Sequence, residues 1–188
     1  MFARAYWPVY AAVALVFLTG LTLIAFPYYG DQALFLIAAR KLAAGGLLYR
    51  DFWDLKPPGI IAFYTAAVYL FGPGEIAVRW LDVLTQAAGA VSTGYIMLRY
   101  SQRPITAAAA VVFGVWNYFA FADAEKLAQV EALVYLPLLW IVFACAESIR
   151  HPERIAPWMA FAGLCAAAVF WCKPVFLLFP IGFLAVTF

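Results

Sequence analysis

The sequence predicts an all-α fold, a polytopic bundle of transmembrane helices with one long extracytoplasmic loop that carries interfacial helices. Three observations support this prediction. Hydrophobic residues make up 68% of the chain and charged residues only 12%, with a mean hydropathy of +0.92, whereas a soluble domain carries about 25% charged residues. Apolar runs recur along the whole length at close to the ~20 residues that cross a bilayer. The charged residues fall in short clusters between these runs.

Six membrane spans follow from the apolar runs. They are placed at about residues 7–27, 76–98, 104–122, 127–146, 155–172 and 174–188, and the extracytoplasmic loop takes residues 28–75. The first run is not followed by an Ala-x-Ala cleavage site, so it is interpreted as a retained span. The last apolar stretch, from Val175 to Phe188, has neither a charged flank nor a polar tail. We therefore expect the sequence to be the N-terminal part of a longer membrane protein.

The run from Pro57 to Phe71 decides the topology. A helix over this run would measure only ~22 Å, against a hydrocarbon core of ~30 Å. If the run does not cross, one side of the membrane receives Arg4, Arg99, Arg103, Arg150 and Arg154. The positive-inside rule makes that side the cytoplasm. We therefore expect this run to lie in the outer interface of a membrane, with a bacterial inner membrane as the expected location.

This topology gathers most of the remaining charge at the outer face. A cavity walled by the first loop is expected to hold carboxylates and cations together, and the acidic residues concentrate on that side. The charged residues of the outer face are Asp31, Arg40, Lys41, Arg50, Asp51, Asp54, Lys56, Glu75, Arg79, Asp123, Glu125, Lys126 and Glu131.

Asp31 opens a predicted amphipathic helix over residues 31–44. The expected apolar stripe comprises Leu34, Ile37, Ala38 and Leu42, with Gln32 and Arg40 away from it. Two interpretations of Asp31 stay open. It is either the N-cap that satisfies unpaired amides of this helix, or a carboxylate held at the membrane surface as a general base.

The block from Tyr49 to Gly59 reads Tyr-Arg-Asp-Phe-Trp-Asp-Leu-Lys-Pro-Pro-Gly and is unusually polar for this chain. Proline suits the first turn of a helix, so Asp51, Asp54 and Lys56 precede a helix start. One interpretation is an Asp/Lys pair that caps an interfacial helix. The other is a phosphate site near the positive helix terminus, with Lys56 as a point charge and Arg50 as a bidentate partner.

Glu131 lies about one turn below the interface in the fourth span. Ionisable residues at such depth usually face the protein interior and mark functional sites. The alternative is a partner for Lys126, or a residue at the helix end that reaches the interface. Lys173 also stands between two apolar runs and is open to an interfacial interpretation. The three cysteines lack metal-ligand spacing, and His151 is placed in a cytoplasmic loop.

Several segments together resemble one family, the polyprenyl-phosphate-sugar glycosyltransferases. These are membrane enzymes with the GT-C fold, of the protein-mannosyltransferase and aminoarabinose-transferase type (glycosyltransferase family 39). The matching segments are the aspartate after the first span, Leu-Tyr-Arg-Asp-Phe-Trp-Asp-Leu-Lys-Pro-Pro-Gly (residues 48–59), Phe71-Gly72, Ala77-Val78-Arg79, Gln129-x-Glu131 and Lys173-Pro174. The resemblance covers the whole chain but only the N-terminal part of such an enzyme.

The resemblance implies an enzyme that moves a sugar from a polyprenyl-phosphate donor to a lipid, glycan or protein acceptor at the outer membrane face. Asp31 matches the aspartate that deprotonates the acceptor hydroxyl, and Lys56 matches the lysine that contacts the donor phosphate. Many members have Asp-Glu where this chain has Asp31-Gln32, and Leu55 stands where the aminoarabinose enzymes have an acidic residue. No metal site is carried over, and a divalent metal stays open as a cofactor. Further active-site candidates are Arg50, Asp51, Asp54, Arg79 and Glu131.

Two other classes of protein stay open. Intramembrane charges also mark the ion paths of transporters and channels, although only Asp82 lies well inside a predicted span and the other charges cluster at one face. A non-catalytic membrane subunit, such as a truncated member of the family, is the third class. The expected partners are the donor, the acceptor and membrane lipid, with no nucleic acid.

Overall fold

The computed structural model describes residues 5–123 and 125–187, which form helices joined by turns, without a β-strand in that part of the chain. The helices are α1 (Trp7–Thr22), α2 (Asp31–Ala43), α3 (Pro58–Phe71), α4 (Glu75–Ser101), α5 (Pro104–Val111), α6 (Asn117–Ala120), α7 (Val130–Arg150), α8 (Ile155–Cys172) and α9 (Leu178–Thr187). A π-helical turn, Val112–Trp116, joins α5 to α6, and 3-10 turns precede α8 (Pro152–Arg154) and α9 (Pro174–Leu177). The prediction of an all-α fold is confirmed.

Among the described residues, two helical segments are long and apolar enough to cross a membrane, α7 and Pro152–Cys172, with mean hydropathies of 2.0 and 1.8. The number rises to three if α3 and α4, which are bent by 107° at the break between them, form one broken span. The segments Trp7–Thr22 and Pro104–Ala120 are shorter apolar helices. The helices thus support a membrane protein, while the count of six spans stays a prediction. Arg4, before the first predicted span, and Phe188, at the end of the sixth, lie outside the described residues.

Helix α1 and the segment from α5 to α6 both run antiparallel to α4. Gly20 near the end of α1 lies against Val83 and Phe119, where a Cβ on the glycine would be 2.9 Å and 2.8 Å from their side chains. Gly94, farther along α4, lies equally close to Val9 at the start of α1. Small residues let helix backbones approach closely, as is typical of membrane bundles.

Helix α7 runs parallel to α4, and α8 returns antiparallel to α7. Gln86 of α4 donates a 3.3 Å hydrogen bond to the carbonyl of Ala132, near the start of α7, and Arg99 pairs with Glu147 near the ends of both helices. Helix α8 ends beside the start of α7. The bundle thus has two ends, which we call the loop end (where α4 and α7 begin) and the arginine end (where α4 and α7 finish).

Helices α2 and α3 close the loop end. A Cβ on Gly59, in the first turn of α3, would lie 2.7 Å from Sγ of Cys172 at the end of α8. The last turn of α3 leads through residues 72–74 into the start of α4. Both ends of α3 therefore lie at the loop end, which is the arrangement expected of a segment that lies along an interface.

The predicted apolar face of α2 is only partly correct, since Ala38 is buried and Leu42 packs against the core, but the other two members are not buried. Leu34 and Ile37 are both 48% exposed, whereas Gln32 is completely buried. Gln32 turns inward because its amide donates a 2.7 Å hydrogen bond to the carbonyl of Leu127 and accepts one of 2.8 Å from Arg79. The buried face of α2 consists of Gln32, Phe35, Leu36, Ala38 and Ala39.

Candidate functional site

A cavity of about 730 Å³ opens at the loop end between α2, α4, the π-helical turn and α7. Its volume is within the range of about 300–1,000 Å³ that is typical of small-molecule sites. A smaller cavity of about 170 Å³ adjoins it. The two share a wall formed by Asp31, Gln129 and Glu131. We call them the main cavity and the side cavity.

Asp31 and Lys56 form an ion pair where the two cavities meet. Asp31 is the first residue of α2, and its side chain is 50% exposed, against 35% for that of Lys56. The N-cap of α2 is Gly30, and no side chain caps the helix. The carboxylate of Asp31 is therefore directed at a cation and not at backbone amides. The ammonium of Lys56 also lies 4.5 Å from the ring centroid of Phe35.

A second ion pair, between Glu131 and Lys173, lines the side cavity together with the first. Glu131 belongs to the first turn of α7, and Lys173 follows the last residue of α8. We call these four side chains (Asp31, Lys56, Glu131 and Lys173) the ion-pair quartet. Two ammonium groups and two carboxylates thus balance each other around the side cavity of about 170 Å³.

Three other predicted site residues line neither cavity. Arg50 pairs with its neighbour Asp51 at 2.7 Å, and both are at the surface. The hydrogen bonds from Arg50 and from the backbone N–H of Leu47 hold the pKa of Asp51 below its usual range. Asp54 accepts a 3.2 Å hydrogen bond from the backbone N–H of Lys56. Asp54 therefore orders the turn that carries Lys56, while Arg50 is occupied by its own neighbour.

Arg79, another predicted active-site candidate, also lines neither the main cavity nor the side cavity. Its side chain is only 2% exposed. It donates hydrogen bonds to the carbonyls of Phe26 (3.4 Å) and Pro27 (3.2 Å) and to Oε1 of Gln32 (2.8 Å), and it lies 4.8 Å above the ring of Tyr28. Its Nη1 has no partner among the described residues. Arg79 thus ties the link between α1 and α2 to the start of α4.

Sequence reasoning missed the neutral polar residues of the main cavity, Gln86, Tyr118 and Tyr135. Behind them lies Asp82, which is 1% exposed and accepts a 2.8 Å hydrogen bond from the hydroxyl of Tyr118. Aromatic residues are common throughout this chain, so nothing in the sequence distinguished Tyr118 and Tyr135 as cavity residues. The available signal was the spacing of Asp82 and Gln86, which places two polar side chains on one face of a helix.

Within residues 5–123 and 125–187, no group of three or more His, Cys, Asp and Glu side chains is placed to hold a metal ion. The two carboxylates of the quartet are each paired with a lysine. A divalent metal remains an open expectation from the sequence.

No protein-family model matches the chain, and neither a curated protein nor a solved structure matches it. The resemblance to glycosyltransferases therefore rests on the residues themselves. Any function must be inferred from the chemistry of the site.

Proposed function

We propose that the protein is a membrane glycosyltransferase, which moves a sugar from a polyprenyl-phosphate donor to an acceptor hydroxyl. The observation that carries this proposal is the pairing of Asp31 with Lys56 on the wall of a cavity of about 730 Å³. The two residues are 25 positions apart in the chain. A base and a phosphate-binding cation at one site are the groups that this transfer requires.

The reaction forms a bond between the acceptor oxygen and the anomeric carbon of the sugar. The bond from that carbon to the phosphate oxygen breaks, and its electron pair leaves with the polyprenyl phosphate. The acceptor hydroxyl loses its proton to the carboxylate of Asp31, which acts as the general base. Because the leaving group is already a phosphate, no general acid is needed.

The two lysines of the quartet stabilise the leaving phosphate. The donor is a phosphodiester with one negative charge, whereas the released monoester carries about −1.5 to −2. Charge therefore develops at the phosphate during transfer, and cations placed there favour the transition state over the bound donor. Lys56 and Lys173 both line the side cavity. A phosphate in that cavity would replace Asp31 and Glu131 as the partner of each lysine and release Asp31 for the acceptor.

The membrane setting agrees with a lipid-linked donor. We take the loop end as the extracytoplasmic one, as the topology expected from the sequence does, with Arg99, Arg103, Arg150 and Arg154 at the opposite end. Trp53 and Leu55, just before Lys56, are 73% and 90% exposed. Apolar side chains at this place suit contact with lipid beside the phosphate site. The acceptor class, whether lipid, glycan or protein, stays open.

Asp31→Asn is the test of this proposal. The full chain in proteoliposomes is given undecaprenyl-phosphate sugars together with a bacterial membrane extract that supplies lipid, glycan and protein hydroxyls as acceptors, and the release of undecaprenyl phosphate is measured. We expect turnover to fall by about 100-fold or more, because the amide cannot accept the proton, while donor affinity changes little. The matched control is Asp123→Asn, which neutralises a carboxylate at the same end that is paired with Lys126. Turnover of Asp31→Asn at the level of this control would refute the proposal.

A further inference from the structure

The lining of the main cavity is apolar and polar in turn, and its charged side chains lie at helix starts or in the turn before α7. They are Asp31, Glu125, Lys126 and Glu131. Gln86 lies about 16 Å from the start of α4 and Tyr135 about 7 Å from the start of α7, at ~1.5 Å of rise per residue. These two side chains and Tyr118 line the inner part of the cavity, whereas Asp31 and Glu131 stand at the first turns of their helices. The inner part therefore offers neutral hydrogen-bonding groups to a ligand.

Gln86 presents an unpaired acceptor to this inner space. The side chain is 3% exposed, and its amide nitrogen donates to Oδ1 of Asp82 (3.4 Å) and to the carbonyl of Ala132 (3.3 Å). Its Oε1 accepts no hydrogen bond from a described residue, although the side chain lines the cavity. Arg79 Nη1 is the described side-chain atom that is both fully buried and unpaired, so the unpaired oxygen of Gln86 is accessible from the cavity. A hydrogen-bond donor on a ligand would satisfy this oxygen.

Tyr135 presents a second acceptor. The hydroxyl of Thr93 donates its proton to the carbonyl of Gly89 at 2.8 Å. The short contact between the hydroxyls of Tyr135 and Thr93 must therefore use the proton of the tyrosine. The hydroxyl oxygen of Tyr135 therefore still has a lone pair that can accept a hydrogen bond from a ligand in the cavity.

Gly114, in the π-helical turn, contributes space. It lines the cavity, and a Cβ added there would meet no atom of the described residues within 4 Å. Single π-helical turns occur frequently at functional sites. Gly114 is exposed, so at this one position the wall of the cavity carries no side chain.

From these three residues we infer that the inner part of the main cavity binds the sugar ring of the donor, with sugar hydroxyls donating to Gln86 and Tyr135. Neutral acceptors in a buried space fit an uncharged ligand rich in hydrogen-bond donors, and a sugar ring is such a ligand. The phosphate then lies in the side cavity, and the anomeric carbon lies at the wall that the two cavities share, beside Asp31. This inference rests on the proposed function and assigns the sugar its own subsite.

The test compares the affinity of the full chain for undecaprenyl phosphate with its affinity for the glucosyl, mannosyl, galactosyl and arabinosyl esters of that lipid, by native mass spectrometry. For at least one ester, Gln86→Leu and Tyr135→Phe are each expected to weaken binding about three- to tenfold, the effect of one lost hydrogen bond. Gly114→Leu, which fills the space, is expected to weaken the ester more strongly. None of the three should change binding of undecaprenyl phosphate by more than about twofold.

Matched controls are Tyr95→Phe, at the arginine end, and Gly163→Leu, where a Cβ also meets no described atom within 4 Å. They should change neither affinity. Thermal unfolding of each variant checks the fold, and Gly114→Ala replaces the leucine variant if the latter does not fold. Equal losses for ester and bare lipid, or no loss for any ester, would overturn the sugar subsite.

Lys56→Ala separates this inference from the proposed function. Suppose that Lys56→Ala weakens binding of both the bare lipid and the esters. If Gly114→Leu then changes the affinity for the bare lipid and for the esters equally, only the sugar subsite fails. If Lys56→Ala leaves both affinities unchanged, or if the wild-type chain binds none of these ligands, the proposed function fails and the subsite fails with it.

Discussion

The hydroxyl of Tyr118 donates a hydrogen bond of 2.8 Å to Asp82 and accepts one of 2.6 Å from the backbone N–H of Ala128. One hydroxyl thus connects α6, α4 and the turn that precedes α7. Ala128 has a φ of 54°, in the left-handed region that alanine rarely adopts. Its carbonyl accepts a further hydrogen bond of 3.2 Å from Tyr64 of α3. The rim of the main cavity is therefore held by contacts to three helices.

Tyr118→Phe is expected to lower the free energy of unfolding by about 2–3 kcal/mol, since it leaves the buried carboxylate of Asp82 with only the 3.4 Å hydrogen bond from Gln86 and leaves the N–H of Ala128 without a partner. The measurement is unfolding in SDS or by heat, followed by tryptophan fluorescence. Tyr10→Phe is the matched control, because that side chain is 62% exposed and its hydroxyl bonds to no described residue. Equal stability of the two variants would contradict the role assigned to Tyr118.

Arg79→Met is expected to destabilise the fold by about 3 kcal/mol, because it removes hydrogen bonds to two backbone carbonyls and to the buried Gln32. Arg50→Met, which changes a surface arginine, is the control and should unfold like the wild type. If Arg79→Met leaves the stability normal but abolishes donor binding, Arg79 is instead a residue of the active site.

Arg99→Ala is expected to lower the thermal midpoint because it leaves Glu147, which is 1% exposed, without its cation. Adding Glu147→Gln to this variant should restore part of the loss, since no buried charge then remains uncompensated. Arg103→Ala is the control at the same end, because that side chain bonds to no described residue. A double variant that is less stable than Arg99→Ala alone would show that the charge of Glu147 is not the cause.

The topology can be tested by labelling single cysteines in a variant that lacks the three native ones. Tyr29→Cys and Gly74→Cys flank the segment that contains α2 and α3, and a Cβ at Gly74 meets no described atom within 4 Å. We expect an impermeant thiol reagent to reach both from the same side of the membrane and Arg103→Cys from the other. Labelling of the first two from opposite sides would mean that α3 crosses.

The helix positions could be predicted from the sequence because apolar runs and their charged flanks are local signals. The predicted span 155–172 coincides with α8, and the predicted helix 31–44 is one residue longer than α2. The π-helical turn could not be foreseen, since Val-Phe-Gly-Val-Trp is as apolar as the residues around it. The spacing of hydrophobic residues does not report a local change in helical pitch.

The site was predictable only in part. The spacing of Asp31 and Lys56 in the sequence does not predict that they pair. Their contact depends on the path of the irregular turns that connect α2 to α3. The resemblance to a family suggested that both residues serve one site, but not that they contact each other. The face of α2 was predicted only in part, because the buried amide of Gln32 is hydrogen-bonded by Arg79, which lies 47 residues farther along the chain. A polar residue turns inward when a distant partner can satisfy it, and helical periodicity cannot reveal that partner.

The π-helical turn at Val112–Trp116 makes the main cavity depend on the number of residues in this segment as well as on their identity. Such a turn accommodates one residue more than the regular helix on either side of it. Deleting one residue from the turn would therefore restore an ordinary helix while Tyr118 keeps its place beside Asp82, and the part of the cavity wall that Gly114 forms would be lost. Deleting one residue from α5, which has no extra residue to give up, would instead rotate everything that follows by about 100° and turn Tyr118 away from Asp82. We therefore expect the deletion in α5 to be far more damaging to the fold than the deletion in the turn.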